Sequence, residues 1–221
     1  MLQEDPTSSG VEAGILPTQS SEGSKMDKCA DRCEKQSTVL FCDLVDSTTY
    51  VSRYGAIQQR EFFLSYYQAV TTIIKNHDGG VVGYIGDGIQ AIFCRRQAPS
   101  VAAEAAVLAS MRVIEMMNNC GNLRYLRLGP KPRVRISIAT DRSLIGASIR
   151  TGEARQSVVF GIAPYLAARL NKIGEPDSII ISNRTRKLLG DRFCVRDMGV
   201  HKLKGFDEPE RCWEVLRQPG C

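Results

Sequence analysis

From residue 37 onward the chain switches between two rhythms. Runs in which apolar residues fall at every second position, or are continuous over four to eight residues, read as strands, and runs with apolar residues three or four apart read as helices. Ser37–Val45 is a strand. Ser47 can cap a short helix that ends near Gly55. Ala56–His77 carries Phe62, Phe63, Tyr66, Tyr67, Val70, Ile73 and Ile74 as a helical stripe, stopped by Asp78-Gly79-Gly80. Two short strands, Gly80–Ile85 and Ile89–Phe93, flank Gly86-Asp87-Gly88, a hairpin signal. Pro99 opens a second long helix through Asn119, with Ala103, Ala106, Val107, Ser110, Val113, Ile114 and Met117 on one face. Strands follow at Arg133–Thr140, Leu144–Arg150 and Ser157–Phe160. A helix spans Pro164–Ile173, a buried strand Ser178–Ile181, and a helix capped by Ser182 or Asn183 runs to Leu189. Phe193–Met198 and Cys212–Leu216 close the series. This order predicts an α+β fold in which helices cover one mostly antiparallel sheet.

The first 35 residues break both rhythms. They are rich in Ser, Gly, Thr, Glu and Pro, and read as a disordered tail or as sequence upstream of a start at Met26. The expected organisation is therefore a tail, 1–35, and one domain, 36–217. The 221 residues are 43% hydrophobic and 24% charged, ordinary values for a soluble protein. No apolar run is long enough for a membrane helix, and the start lacks the blocks of a signal peptide, so the expectation is a cytoplasmic protein without a membrane partner. Eight cysteines raise the question of disulfides. Cys42, Cys94 and Cys194 lie in apolar runs, where a reduced thiol acts as a small hydrophobe. Cys29 and Cys33 have no histidine nearby in sequence to complete a zinc site. The net charge is +5, and Arg124, Arg127, Lys131, Arg133 and Arg135 cluster. That cluster reads as a solvated strand edge, or as an attractor of a polyanion such as a nucleoside triphosphate. No nucleic-acid motif accompanies it.

Two acidic loops carry the candidate chemistry. Asp43 follows the apolar run Thr38-Val39-Leu40-Phe41-Cys42, and Asp87 sits in the turn between the two short strands. If the strands are neighbours, carboxylates so placed can share hard divalent cations. Free amides in the adjoining Leu44-Val45-Asp46-Ser47-Thr48 segment then suggest metal-assisted phosphoryl chemistry. Aspartate is also common at strand ends and turns for structural reasons alone.

With these loops stand Gly79-Gly80, Gly161 with Leu166-Ala167-Ala168-Arg169-Leu170, and Leu203-Lys204-Gly205-Phe206-Asp207-Glu208-Pro209. In this order and spacing the chain resembles the class III nucleotide cyclase catalytic domain over about residues 37–216. The resemblance implies a ferredoxin-like βααββαβ core and a head-to-tail homodimer with composite sites. It implies that Asp43, Asp87 and the carbonyl of Leu44 hold two Mg2+ or Mn2+ ions per site, and that amides of Leu44, Val45, Ser47 and Thr48 cradle the β- and γ-phosphates. Arg169, from the partner, matches the arginine that stabilises charge on the transferring phosphate. Lys204 is either a further phosphate contact or a surface lysine, and Asp46 is a loop-stabilising acid or an outer-shell ligand, the former being expected.

Three positions depart from the family's purine enzymes. Gly83 stands where a lysine reads the base, Val158 where an aspartate or threonine pairs with it, and Tyr165 where an asparagine orients the ribose. Asp43, Asp87 and Arg169 remain. The combination is similar to the pyrimidine cyclases of bacterial antiphage (Pycsar) signalling. That likeness implies conversion of UTP to 3′,5′-cyclic UMP and pyrophosphate, a second messenger for a separate effector. Tyr50, Val158 and Tyr165 would then shape the base pocket. CTP as substrate, a purine cyclase with atypical base contacts, and a silent nucleotide-binding regulatory module are the alternatives.

Overall fold

The computed structural model describes residues 34–94, 98–119, 131–151 and 154–216, without side chains for Glu34, Tyr50 and residues 145–157. The elements run β1 (Glu34–Leu44), α1 (Ser47–Arg53), α2 (Ala56–Asn76), β2 (Gly80–Ile85), β3 (Gly88–Phe93), α3 (Pro99–Asn118), β4 (Val134–Thr151) and β5 (Ala154–Gly161). They continue with α4 (Ile162–Leu170), β6 (Ile179–Ser182), α5 (Asn183–Leu189), β7 (Val195–His201) and β8 (Glu210–Val215). The sheet order is β2-β3-β1-β4-β6-β8-β7, with β5 paired to the far part of β4. All described pairs are antiparallel except β4–β6. This is the α+β fold expected, with β1 an interior strand between β3 and β4.

The period-two strands explain why the sheet has two dry faces. Leu40, Cys42 and Leu44 of β1 pack with Phe62, Tyr66 and Val70 of α2 and with Ala103, Val107 and Ile114 of α3. Val39 falls in a second cluster with Ala163, Leu166, Ala167 and Leu170 of α4. Helices on both sides thus clamp the strand whose end carries Asp43. The sequence-based stripe on α2 holds: Phe62, Tyr66, Val70, Ile73 and Ile74 are its buried residues. Ser182 caps α5, its hydroxyl accepting from the Thr185 N–H at 3.3 Å.

The structure corrects several boundaries. The strands expected at 133–140 and 144–150 are one continuous β4 of 18 residues. It extends past the sheet to form an arm with β5, so the polar Asp141-Arg142-Ser143 step is strand and not turn. α4 begins at Ile162, two residues before Pro164. Proline is tolerated there because N–H groups of a first helical turn have no intrahelical acceptor. Ser47 is the first residue of α1 and not its cap; Asp46 precedes it with φ 53°. Cys42 is a buried free thiol as expected. Cys194 is not: it is disulfide-bonded, and its partner lies outside the described residues. No helix among the described residues is long and apolar enough to cross a membrane. The tail expected at 1–35 falls outside the described residues up to residue 33, and β1 starts at Glu34. Cys29 and Cys33, and Arg124 and Arg127 of the basic cluster, also lie outside them.

Candidate active site

Strand pairing brings the two aspartates together. In the β1–β3 register Cys42 faces Ile89, so Asp43 emerges beside the start of β3, where Asp87 ends the turn. The two carboxylates come within hydrogen-bonding reach of each other. Asp43 is half-buried, and its pKa is pushed up to about 6 by burial first, then by the charge of Asp87 and the bond they share. One cation opposes this. Arg135 sits directly across the β1–β4 register from Asp43, and its charge pulls the Asp43 pKa down. The Arg135 Nε is buried and without a hydrogen-bond partner.

The surroundings hold this pair without adding charge. Cys42 Sγ and the Tyr66 hydroxyl lie 3.4 Å apart next to the aspartates. Burial pushes the Cys42 thiol up to about 12 and the Tyr66 phenol well above its usual value, so both stay neutral. The Asp87 turn has two central residues, since Ile85 pairs with Gly88. Gly86 supplies the positive φ, 61°, that such a turn demands. Gly88 is fixed by space: a Cβ there would lie 2.9 Å from Phe41 Cζ and 3.1 Å from the Ile85 carbonyl oxygen.

The segment after Asp43 is anchored at both ends. Leu44 is buried, and the Val45 N–H donates to the Arg133 carbonyl at 2.8 Å. Asp46 stabilises the loop through its backbone carbonyl, which accepts from the Thr49 N–H at 2.9 Å. Ser47 and Thr48 then open α1, where N–H groups have no acceptor within the helix. Tyr50 falls in α1 with its side chain outside what is described.

The residues expected to serve a partner's site stand elsewhere. Arg169, in the last turn of α4, donates its Nε to the Lys204 carbonyl at 3.0 Å. That carbonyl belongs to a tight turn closed by Phe206 N–H to Leu203 O at 3.1 Å, with Gly205 at φ 86°. Lys204 itself is exposed. Gly83 is half-buried on β2 beside a bulge, Val158 is half-buried on β5, and β2 and β5 approach each other. Tyr165 is 68% exposed on α4. Within one chain, therefore, Asp43 lies across from Arg135, while the Nε of Arg169 is held on the Lys204 carbonyl.

The donor set suits a hard divalent cation. Two close carboxylates, with Arg135 lying across from Asp43, form an anionic site, and carboxylate and carbonyl oxygens are what Mg2+ and Mn2+ take. Among the described residues no cluster of three or more His, Cys, Asp or Glu is present, so Asp43 and Asp87 would be completed by main-chain or substrate oxygens.

Sequence reasoning placed Arg135 only in a basic cluster. That cluster divides in the fold: Arg133 is spent on Asp177 at 2.7 Å and on the Pro176 carbonyl at 2.8 Å, while Arg135 lies across from Asp43. The signal was present, since an arginine between Val134 and Ile136 interrupts a buried strand. The register that aims it at Asp43 was not readable locally.

Comparison with known proteins agrees with this architecture. The model of the adenylate and guanylate cyclase catalytic domain matches residues 31–216. An uncharacterized protein of Rhizobium meliloti (strain 1021) is 32% identical over 180 residues, which cover 81% of this chain and 17% of that protein. The chain thus spans about a sixth of that relative's length. Among solved structures, the adenylyl cyclase CyaB from P. aeruginosa superposes with a TM-score of 0.78 at 23% identity, covering 85% of this chain and 96% of that one. The non-canonical dimeric guanylyl cyclase domain of the RhoGC fusion protein from Blastocladiella emersonii gives 0.73 at 20% identity, covering 83% and 98%. Matched over 186 consecutive residues (31–216) that include every element and both aspartates, this chain belongs to the adenylate and guanylate cyclase catalytic domain family.

Proposed function

We propose that the chain works as a head-to-tail homodimer that cyclises a pyrimidine nucleoside triphosphate, UTP ahead of CTP, to the 3′,5′-cyclic monophosphate. The observation that supports the dimer is that Asp43 lies across from Arg135 while Arg169 of the same chain is tied to the Lys204 carbonyl. A second copy would bring Arg169, Tyr165 and the β2–β5 surface to them. The observation that carries the base preference is chemical. Gly83 and Val158 are half-buried and offer no polar side-chain atom, so a purine would lose the hydrogen bonds that position it. Tyr165, bulky and exposed on α4, would narrow that pocket and stack on a single ring.

Bound Mg2+ or Mn2+ would neutralise phosphate charge and make the ribose 3′-hydroxyl more acidic. Asp43, Asp87 and the Leu44 carbonyl would hold it. The chain's own residues do the rest. Arg135, with its Nε unpaired, would bind the β- and γ-phosphates together with the amides opening α1. Arg169 of the partner would meet charge building on the α-phosphate oxygens. The O3′–Pα bond forms as the Pα–O bond to pyrophosphate breaks in line, and the hydroxyl proton passes to water.

The test is a product assay. Purified protein is incubated with Mn2+ and each of the four ribonucleoside triphosphates, and cyclic products are identified by mass spectrometry. Cyclic UMP as main product is expected. Cyclic AMP or cyclic GMP as main product would overturn the pyrimidine reading, and no product would overturn the enzyme. The same reading makes the product an antiphage second messenger for a separate effector; cyclic UMP should then rise in cells after phage infection.

A further inference from the structure

The turn that carries Asp87 is held from outside by α2. Gly86 and Asp87 are its two central residues. Gly86 has φ 61°, while Asp87 is not among the residues with positive φ, which is the type II′ pattern. The alternative type I′ turn joins the same strands in the same register. It differs by a flip of the single peptide between Gly86 and Asp87, which would send Asp87 to positive φ. Strand pairing therefore does not choose between the two. They differ in where the carbonyl of that peptide, Gly86 O, points.

Gly86 O accepts a hydrogen bond from the Tyr67 hydroxyl. The space where a Cβ on Gly86 would stand is open. The Tyr67 ring is fixed. It lies 4.7 Å from the Tyr84 ring and 6.0 Å from Phe63, and the Tyr84 hydroxyl is bonded to Thr71 Oγ1 at 2.8 Å. Thr71 lies one helical turn beyond Tyr67, so one face of α2 grips both strand end and turn.

We propose that Tyr67 is a positioning residue: by holding the Gly86 carbonyl it sets the plane of the Gly86–Asp87 peptide, and with it the direction in which Asp87 presents its carboxylate. The inference rests on the reading of Asp87 as a metal ligand and extends it to the side chain that aims it. Partners that orient a ligand from behind are typically worth about 10–100-fold in metal affinity or activity. Tyr84, next to the vacant base-reading position Gly83, belongs to the same brace through its contact with Tyr67.

The test is Tyr67→Phe, which keeps the ring and removes the hydroxyl. The Mn2+ concentration for half-maximal turnover should rise about 10-fold. The Asp87 amide resonance should move in the 15N spectrum of the metal-free protein, and the metal-free melting temperature should stay within about 2 °C of wild type. Unchanged Mn2+ dependence with an unmoved Asp87 resonance would overturn the latch. So would a large loss of stability with wild-type Mn2+ dependence, which marks a structural brace alone. If Tyr67→Phe does not fold, Thr71→Val, which releases the Tyr84 hydroxyl, should show the same changes in smaller measure, and wild-type behaviour there overturns the latch. Asp87→Ala runs beside them. Retained turnover in that variant would refute the metal role of Asp87, and the resonance of Asp87 in Tyr67→Phe would still judge the latch separately.

Discussion

Asp43→Asn should make the metal-free protein more stable above pH 6. The folded chain holds the Asp43 proton up to about pH 6, whereas an unfolded chain releases it near 3.8. Between those values the folded state binds more protons than the unfolded one, so stability falls as pH rises through the window. The cost is absent below about pH 4 and complete above about pH 6. A shift of about two pH units corresponds to about 3 kcal/mol. Asp43 is only half-buried, and water and salt screen it, which leaves about 1–1.5 kcal/mol. Asparagine keeps the shape and drops the charge. In a domain of this size the gain is a rise of about 2–6 °C in melting temperature. The assay is thermal unfolding in EDTA from pH 5 to pH 8, repeated with Mn2+. The difference should grow with pH, and Mn2+ should stabilise wild type far more than the variant. A variant no more stable than wild type at pH 8 in EDTA, or one that Mn2+ stabilises equally, would refute the reasoning that two under-compensated carboxylates form the metal site.

Two other outcomes follow from the same geometry. Gly88→Ala puts a methyl group 2.9 Å from Phe41 Cζ and 3.1 Å from the Ile85 carbonyl, and should destabilise by about 1–3 kcal/mol, read from denaturant midpoints. Arg135→Gln removes the one cation that lowers the Asp43 pKa, and should raise the KM for nucleoside triphosphate by about 10-fold or more in initial-rate assays, with an unchanged fold by circular dichroism.

Most of the fold was legible because its strands and helices keep clean periods: the α2 stripe, the Pro99 start of α3 and the hairpin around Gly86-Asp87 all appear where the pattern places them. The long β4 was not, because Asp141-Arg142-Ser143 interrupts the apolar alternation, and only pairing with β1 and β5 keeps that step extended. Asp43 and Asp87 could be named from local pattern, since each ends an apolar run. Arg135 and Tyr67 could not, since their roles come from the β1–β4 register and from α2 lying over the hairpin. Both are contacts between residues far apart in sequence. The disulfide at Cys194 was missed for the same reason: sulfur pairing is set by distance in space and not by the polarity of the neighbouring run.

In the proposed cyclase, the metal site of one chain is completed by Arg169 of a second copy. Asp87→Ala and Arg169→Ala should each abolish turnover as purified homodimers. Mixed in equal amounts and allowed to exchange, half the dimers would be mixed, each with one intact site, which returns about a quarter of wild-type activity. Recovery near that level is the predicted result; two folded, inactive variants that stay inactive on mixing, despite forming mixed dimers, would contradict it.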